Sequence, residues 1–322
     1  MTSGLPFDDI RDLVQRLSAP HTSAGERVRR DIERIAGTLG RLEEIAVWFA
    51  RATGRQPARV VRPTVALFAA THAVSSRLGV AEPIADAQRG VEAVAAGAAP
   101  VSHLCAAGNL GLNVFDLALE MPVEDITQAP ALEERAAAAT AAFGMEAVAS
   151  GADLVCLGTV DGAGDASAMA LLSALDGSEG GEWQDAGEGV QAVLTEALAL
   201  HRDHSGDPLE AMRRLGGREI AALVGAILAA RTQNVAVILD GLAATAAAAV
   251  LQALNPDAIS HCLMADTASA PHRQAATRIG LAPLLGLGTT GSGGVAAALA
   301  AGLVKAAGEV SAGTTEVLGR AV

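Results

Sequence analysis

The sequence predicts an α/β fold: a three-layer, mainly parallel, Rossmann-like sheet with helices on both faces, plus a small helical subdomain. Three observations carry this. Short apolar runs alternate with longer alanine-rich stretches of helical period, the pattern of strands joined by crossover helices. The short runs are apolar at successive positions, as in strands covered on both faces. Hydrophobic residues make up 51% of the chain but aromatics only 2%, with no tyrosine. The core is therefore Ala, Val, Leu and Ile, with backbones closely approached.

Residues 8–53 read as helices, and Arg41–Ala50 places Leu42, Ile45, Ala46 and Phe49 on one face. After a turn around Gly54 and Pro57, Val60–Ala69 has a buried-strand pattern ending at Thr71-His72. Ala85–Ala98 is helical, Leu112–Leu119 strand-like and Glu133–Ser150 helical. Leu154–Leu157 is a short strand entering Gly158–Asp165, which leads to a helix over Ala168–Leu175. Gln191–Leu200 and Ile220–Ala230 are helices. Val235–Leu239 is the clearest strand, ending at Asp240-Gly241 before another alanine-rich helix, and Ser260–Asp266 reads as a further strand. Ile279–Leu299 is an apolar run entering a glycine-dense loop that feeds a last helix. The expected units are a helical segment over 1–57, the α/β ligand-binding domain over 58–305, and a tail over 306–322 packing with the small subdomain.

In open parallel sheets, ligands sit beyond the carboxyl ends of the strands. Thr71-His72, Gly158–Asp165, Asp240-Gly241 and Gly288–Gly294 all fall at such ends, which predicts one shared site. In the last loop, glycine lets backbone N–H groups approach a ligand closely. From Ile279 to Val304 there is no charged side chain, so that loop carries no group for proton transfer.

Composition excludes several classes. The formal net charge is −13, from 36 acidic and 23 basic residues, a field that repels nucleic acid. Cys105, Cys156 and Cys262 are widely spaced and odd in number, fitting neither a zinc cluster nor a disulfide framework and pointing to a reducing cytoplasm. No signal peptide is apparent, and the charge-free window 279–304 is broken by Pro283 and many glycines, against a membrane span. Asp257, His261, Asp266 and His272 match no standard ligand spacing, so no metal is expected.

Gly286-Leu-Gly-Thr-Thr-Gly291 matches the dinucleotide fingerprint literally, but only 13 residues follow Glu309, too few for another strand and helix. Close packing explains those glycines better, and no cofactor is expected. In Gly158–Ser167, Gly162 and Gly164 allow a tight turn, and Asp165 or Ser167 suits a helix cap. Asp240 suits either a ligand hydroxyl or a cap for the next helix. His72 suits a base, a donor or a hydrogen-bonded structural histidine.

These pieces, in this order, resemble the nicotinate-nucleotide:dimethylbenzimidazole phosphoribosyltransferases. The likeness rests on Gly37-Thr-Leu-Gly-Arg-Leu-Glu-Glu-Ile-Ala46, Ala96-Gly-Ala-Ala99, Leu215-Gly-Gly-Arg-Glu-Ile-Ala-Ala-Leu-Val-Gly-Ala-Ile-Leu228, Val237-Ile-Leu-Asp-Gly241, Thr245-Ala-Ala, Pro271-His-Arg and Gly280-Leu-Ala-Pro-Leu-Leu285. It implies transfer of ribose phosphate to a benzimidazole during assembly of the cobalamin lower ligand. It also implies a nucleotide or azole base as ligand, and a homodimer with N-terminal helices near the partner's pocket.

Departures fall at the positions that matter to the family. Its Gly-Asp-His-Gly-Val is Ala70-Thr-His-Ala-Val74 here, keeping His72 without the aspartate. Its Gly-Glu-Met-Gly-Ile-Gly-Asn-Thr-Thr is Thr159–Ser167. Gly162 and Gly164 survive, the glutamate falls on Val160 (or, slipped by one, Asp161), and asparagine becomes Asp165. The Gly-Arg-Gly-Thr-Gly loop is replaced by the acidic Asp176–Asp185. The glutamate understood as the catalytic base falls on Gly293, or by a slip on Ser292 or Gly294, leaving Asp161 as a possible substitute. His72, Gly162, Gly164, Asp165, Ser167, Asp240, Gly291, Ser292, Gly293 and Gly294 form the expected ligand-binding set. The expectation is a divergent homologue with lost or altered catalysis; the alternative is an active enzyme acting on nicotinate mononucleotide and a benzimidazole-like base.

Overall fold

The computed structural model describes residues 5–36, 39–160, 164–289 and 293–320. Its sheet has five parallel strands: β1 (Pro63–Ala69), β2 (Gly111–Asp116), β3 (Leu154–Thr159), β4 (Ala236–Leu239) and β5 (Cys262–Met264). They lie in the order β2-β1-β3-β4-β5. The direction of travel reverses between β1 and β3, and that switch point opens the crevice in which such folds bind ligands.

Successive strand residues serve opposite layers, which explains the unbroken apolar runs. Val65 and Leu67 face a layer made by α2 (Thr22–Ala36), α3 (Arg41–Thr53), α5 (Pro100–Gly108) and α13 (Val295–Arg320). Ala66 and Phe68 face the other layer, built from α6 (Glu134–Gly144), α7 (Asp165–Asp176), α9 (Pro208–Leu215), α10 (Arg218–Thr232) and α11 (Gly241–Leu254). The remaining helices are α1 (Asp8–Gln15), α4 (Pro83–Ala95), α8 (Glu188–His201) and α12 (Ala270–Arg278).

Small residues let the layers approach. A Cβ added to Gly225 of α10 would lie 1.7 Å from the Ala141 carbonyl oxygen of α6. One added to Gly144 would lie 1.9 Å from the Ala222 carbonyl oxygen. Glycine at both positions brings the two backbones into contact, and α10 is buried at every residue from Glu219 to Arg231.

The predicted helical face of α3 is present, with Ile45, Ala46 and Phe49 buried, though Glu43 is buried too, 3.8 Å from Arg29. The strand expected over Ser260–Asp266 shrinks to Cys262–Met264. The strand and helices α5, α9 and α12 differ from the sequence reading in extent or presence: α9 is short and is capped by Asp207, just before it, whose carboxylate accepts from the N–H groups of Leu209 and Glu210. Among the described residues, two stretches are long and apolar enough to cross a membrane. Of these, Pro83–Gly108 is interrupted by the turn between α4 and α5, and more than half of the apolar window in Val295–Gly319 is buried within the protein.

Candidate functional site

The carboxyl ends of the strands bring four of the expected segments together. His72 follows β1, Val160 follows β3, Asp240 follows β4, and Gly293-Gly294 lead into α13. Asp161, Gly162, Gly291 and Ser292 lie outside the described residues.

Asp240 is 3% exposed, and it does not cap the helix that follows it. Its Oδ2 instead accepts from the Ala297 N–H, 3.1 Å away, in the first turn of α13. The carboxylate thereby ties β4 to the helix after the glycine loop, where the helix dipole favours negative charge. Burial, opposed by the N–H groups of Ala297 and Ala296 and assisted by Asp266, pushes its pKa up to about 7. A carboxyl group titrating there is suited to exchanging protons near neutrality.

Asp266, weighed from sequence only as a metal-capable type, anchors the glycine loop. Its Oδ2 accepts from the N–H of Leu287 (3.1 Å), the N–H of Thr289 (3.2 Å) and the Thr289 hydroxyl (3.0 Å). Burial works to raise its pKa, but these donors together with the Thr267 N–H hold it below the usual carboxylate range. Two backbone N–H groups expected to face a ligand are therefore already taken by a protein carboxylate.

Asp165, Asp240, Asp266, His272 and Thr289 line one narrow crevice of about 30 Å³. That is space for about one water, so a nucleotide needs the crevice to widen. His272 is bound to the Thr245 hydroxyl at 2.8 Å, and burial pushes its pKa down to about 4, so it is neutral near pH 7. The larger cavity, about 480 Å³ between α3 and the β5 edge, shares no lining residue with this crevice.

Capping of α7 by Asp165 or Ser167 is not observed. Gly164 holds the cap position, no side chain among the described residues caps the helix, and Asp165 is its first residue. The Ser167 hydroxyl turns instead to His72 Nδ1, 3.2 Å away. His72 Nε2 lies 3.0 Å from Glu219 Oε1, a partner 147 positions away that the sequence reading missed. The available signal was a charged residue opening the otherwise uncharged run Ile220–Ala230.

The two positions at which the resemblance places glutamates are neighbours. Val160 packs among Ala69, Ala87, Val91 and Leu119. Among the described residues, a Cβ at Gly293 would lie no closer than 4.0 Å to a neighbour, the Val160 carbonyl oxygen, whereas one at Gly294 would meet Leu67 Cδ2 at 2.9 Å. Position 293 can therefore carry a side chain beside Val160, and position 294 cannot. The acidic segment from Asp176 is tied down locally. Arg278 pairs with Asp176, Glu182 accepts from the hydroxyls of Ser173 and Ser178, and Trp183 donates to Ser173 Oγ at 3.1 Å.

The sequence pattern of a phosphoribosyltransferase family matches residues 17–317. The chain is 51% identical over 317 residues to a nicotinate-nucleotide–dimethylbenzimidazole phosphoribosyltransferase of Rhizobium meliloti, covering 95% of this chain and 94% of that protein. It is 48% identical to the protein of that name from Agrobacterium fabrum, covering 95% and 92%. A crystal structure of the Thermus thermophilus protein of that name superposes with a TM-score of 0.82 at 26% identity, over 90% of this chain and 95% of that one.

Proposed function

Because this chain belongs to the nicotinate-nucleotide–dimethylbenzimidazole phosphoribosyltransferase family, we propose that it transfers ribose phosphate from nicotinate mononucleotide to a benzimidazole-like base, with Asp240 as the base. The observation that carries this is likeness along almost the whole chain to relatives bearing that name, about half of the residues being identical, together with a buried carboxylate at the end of β4. One azole nitrogen attacks the ribose carbon as the bond to nicotinate breaks, and nicotinate leaves with that electron pair. The proton on the other azole nitrogen passes to the Asp240 carboxylate. A positioned base of this kind contributes about 10²–10⁴-fold.

The test is to mix pure protein with nicotinate mononucleotide and dimethylbenzimidazole and to follow nicotinate and α-ribazole phosphate. Turnover that drops about 10²-fold or more in Asp240→Asn supports the reading; absence of turnover in the native protein sinks it.

A second reading, binding without turnover, is favoured by one observation. The resemblance places one family glutamate on Val160 (or, slipped by one, on Asp161) and the other on Gly293 (or Ser292 or Gly294), and none of the last three is a carboxylate. It predicts that the native protein binds one substrate in calorimetry yet releases no nicotinate. The family relationship also supports a homodimer, which sedimentation of the pure protein checks.

A further inference from the structure

Three segments distant in sequence meet under the start of α7. His72 comes from the loop after β1, Ser167 from the first turn of α7, and Glu219 from the first turn of α10. They are 1%, 0% and 2% exposed. A carboxylate only accepts hydrogen bonds, so Glu219 Oε1 at 3.0 Å places the ring proton of His72 on Nε2. His72 Nδ1 then accepts from the Ser167 hydroxyl at 3.2 Å. Glu219 sits where the N-terminus of α10 favours negative charge. Its Oε2 is buried without a hydrogen-bond partner among the described residues.

Two backbone turns are pressed against this chain of groups. A Cβ on Gly164 would lie 2.3 Å from Glu219 Oε1 and 3.1 Å from His72 Nε2. A Cβ on Gly217 would lie 2.4 Å from both Glu219 Oε2 and His72 Cε1. Glycine at both sites lets the turn before α7 and the turn before α10 close on the His72–Glu219 pair from either side. Burying a carboxylate is costly unless it is paired and bonded. Apolar packing alone would have served to bury this junction, so the polar chain is there for orientation.

We propose that Glu219, acting through His72, is a positioning residue that fixes the first turn of α7 at the switch-point crevice and so sets the affinity for the nucleotide. The link to the nucleotide rests on the function proposed above; the orientation of α7 does not.

The ligand-free test is hydrogen exchange of the Ala168 amide, which bonds to the Gly164 carbonyl, with amides of α11 as the internal control. Glu219→Gln keeps the shape and removes the charge. It is expected to speed Ala168 exchange about tenfold, the loss of one charge-assisted bond, while α11 is unchanged. His72→Gln, which keeps an N–H toward Glu219, is expected to exchange close to native; His72→Asn, which does not reach Glu219, is expected to follow Glu219→Gln. Nitrogen NMR of the native protein is expected to show His72 protonated on Nε2. The proposal is overturned if His72 carries its proton on Nδ1, if Ala168 exchange is native in both Glu219→Gln and His72→Asn, or if α11 exchange rises in parallel. With nicotinate mononucleotide, Glu219→Gln is expected to raise KM about tenfold with kcat within about twofold. Native exchange behaviour as described, without any nucleotide binding, would reject the proposed function and leave the clamp standing.

Discussion

At Asp165 the chain places a negative charge on the first residue of α7, lining the same crevice as Asp240 and Asp266. A helix N-terminus favours anions, but a carboxylate already placed there repels a phosphate drawn to the same end. Asp165→Asn is therefore expected to tighten nicotinate mononucleotide binding about fivefold, roughly 1 kcal/mol, as calorimetry will show; weaker binding would mean that Asp165 contacts the ribose instead. The glycines offer a sharper contrast. Gly293→Glu has room beside Val160 and is expected to fold and to raise turnover, despite the strain of a side chain at φ +44°. Gly294→Glu must displace Leu67, Val65 and Val101 and is expected not to fold. Asp240 makes a pH prediction by sign. Its pKa is raised on folding to about 7, so the stability it contributes as a neutral acid is complete below the unfolded value of about 4 and is lost as pH rises toward 7. Urea unfolding of native protein relative to Asp240→Asn is expected to show the native protein losing ground between pH 4 and 7. Much of this was legible: the strand-end placement of His72 and Asp240 follows from periodicity alone, whereas the strand expected before the glycine loop is not formed among the described residues, and Gly293-Gly294 follow α12 and lead into α13. The partners were not. Glu219 lies far from His72 in sequence, and Asp240 reaches past its own helix to α13, contacts that only the packed layers create.

Helices α6 and α10 cross where Gly144 and Gly225 face carbonyl oxygens, and their backbones touch without intervening side chains. Gly225→Ala forces the pair apart and is expected to cost about 1–3 kcal/mol or more, seen as a lower urea midpoint with an unchanged slope. Because α10 also carries Glu219 at its start, the variant is expected to loosen the first turn of α7 as well. A midpoint equal to that of the native protein would show that the two helices separate freely. The strands and the long apolar helices announce themselves in sequence, since burial on every side requires unbroken hydrophobicity. Helices α9 and α12 do not. Each has a capping side chain, Asp207 and Ser269, and a proline at its start. They are short, and α12 is mostly polar, so their periodicity is weak.

For the whole molecule, the parallel sheet brings groups that follow β3, β4 and β5 from across the chain into one crevice. Its described lining carries three carboxylates and no lysine or arginine, within a chain of net charge −13. Binding of an anionic nucleotide is accordingly expected to strengthen as ionic strength rises, because salt screens the repulsion; binding that weakens with salt would reveal cations at the site. The proposed role of Asp240 as the base is the central claim. The direct measurement is nicotinate release from nicotinate mononucleotide in the presence of dimethylbenzimidazole, as a function of pH, for native protein and Asp240→Asn. Native turnover is expected to climb with pH through a midpoint near 7 and to level off above it, and the variant to be about 10²-fold slower or worse. No release by the native protein, or equal release by both proteins, would contradict it.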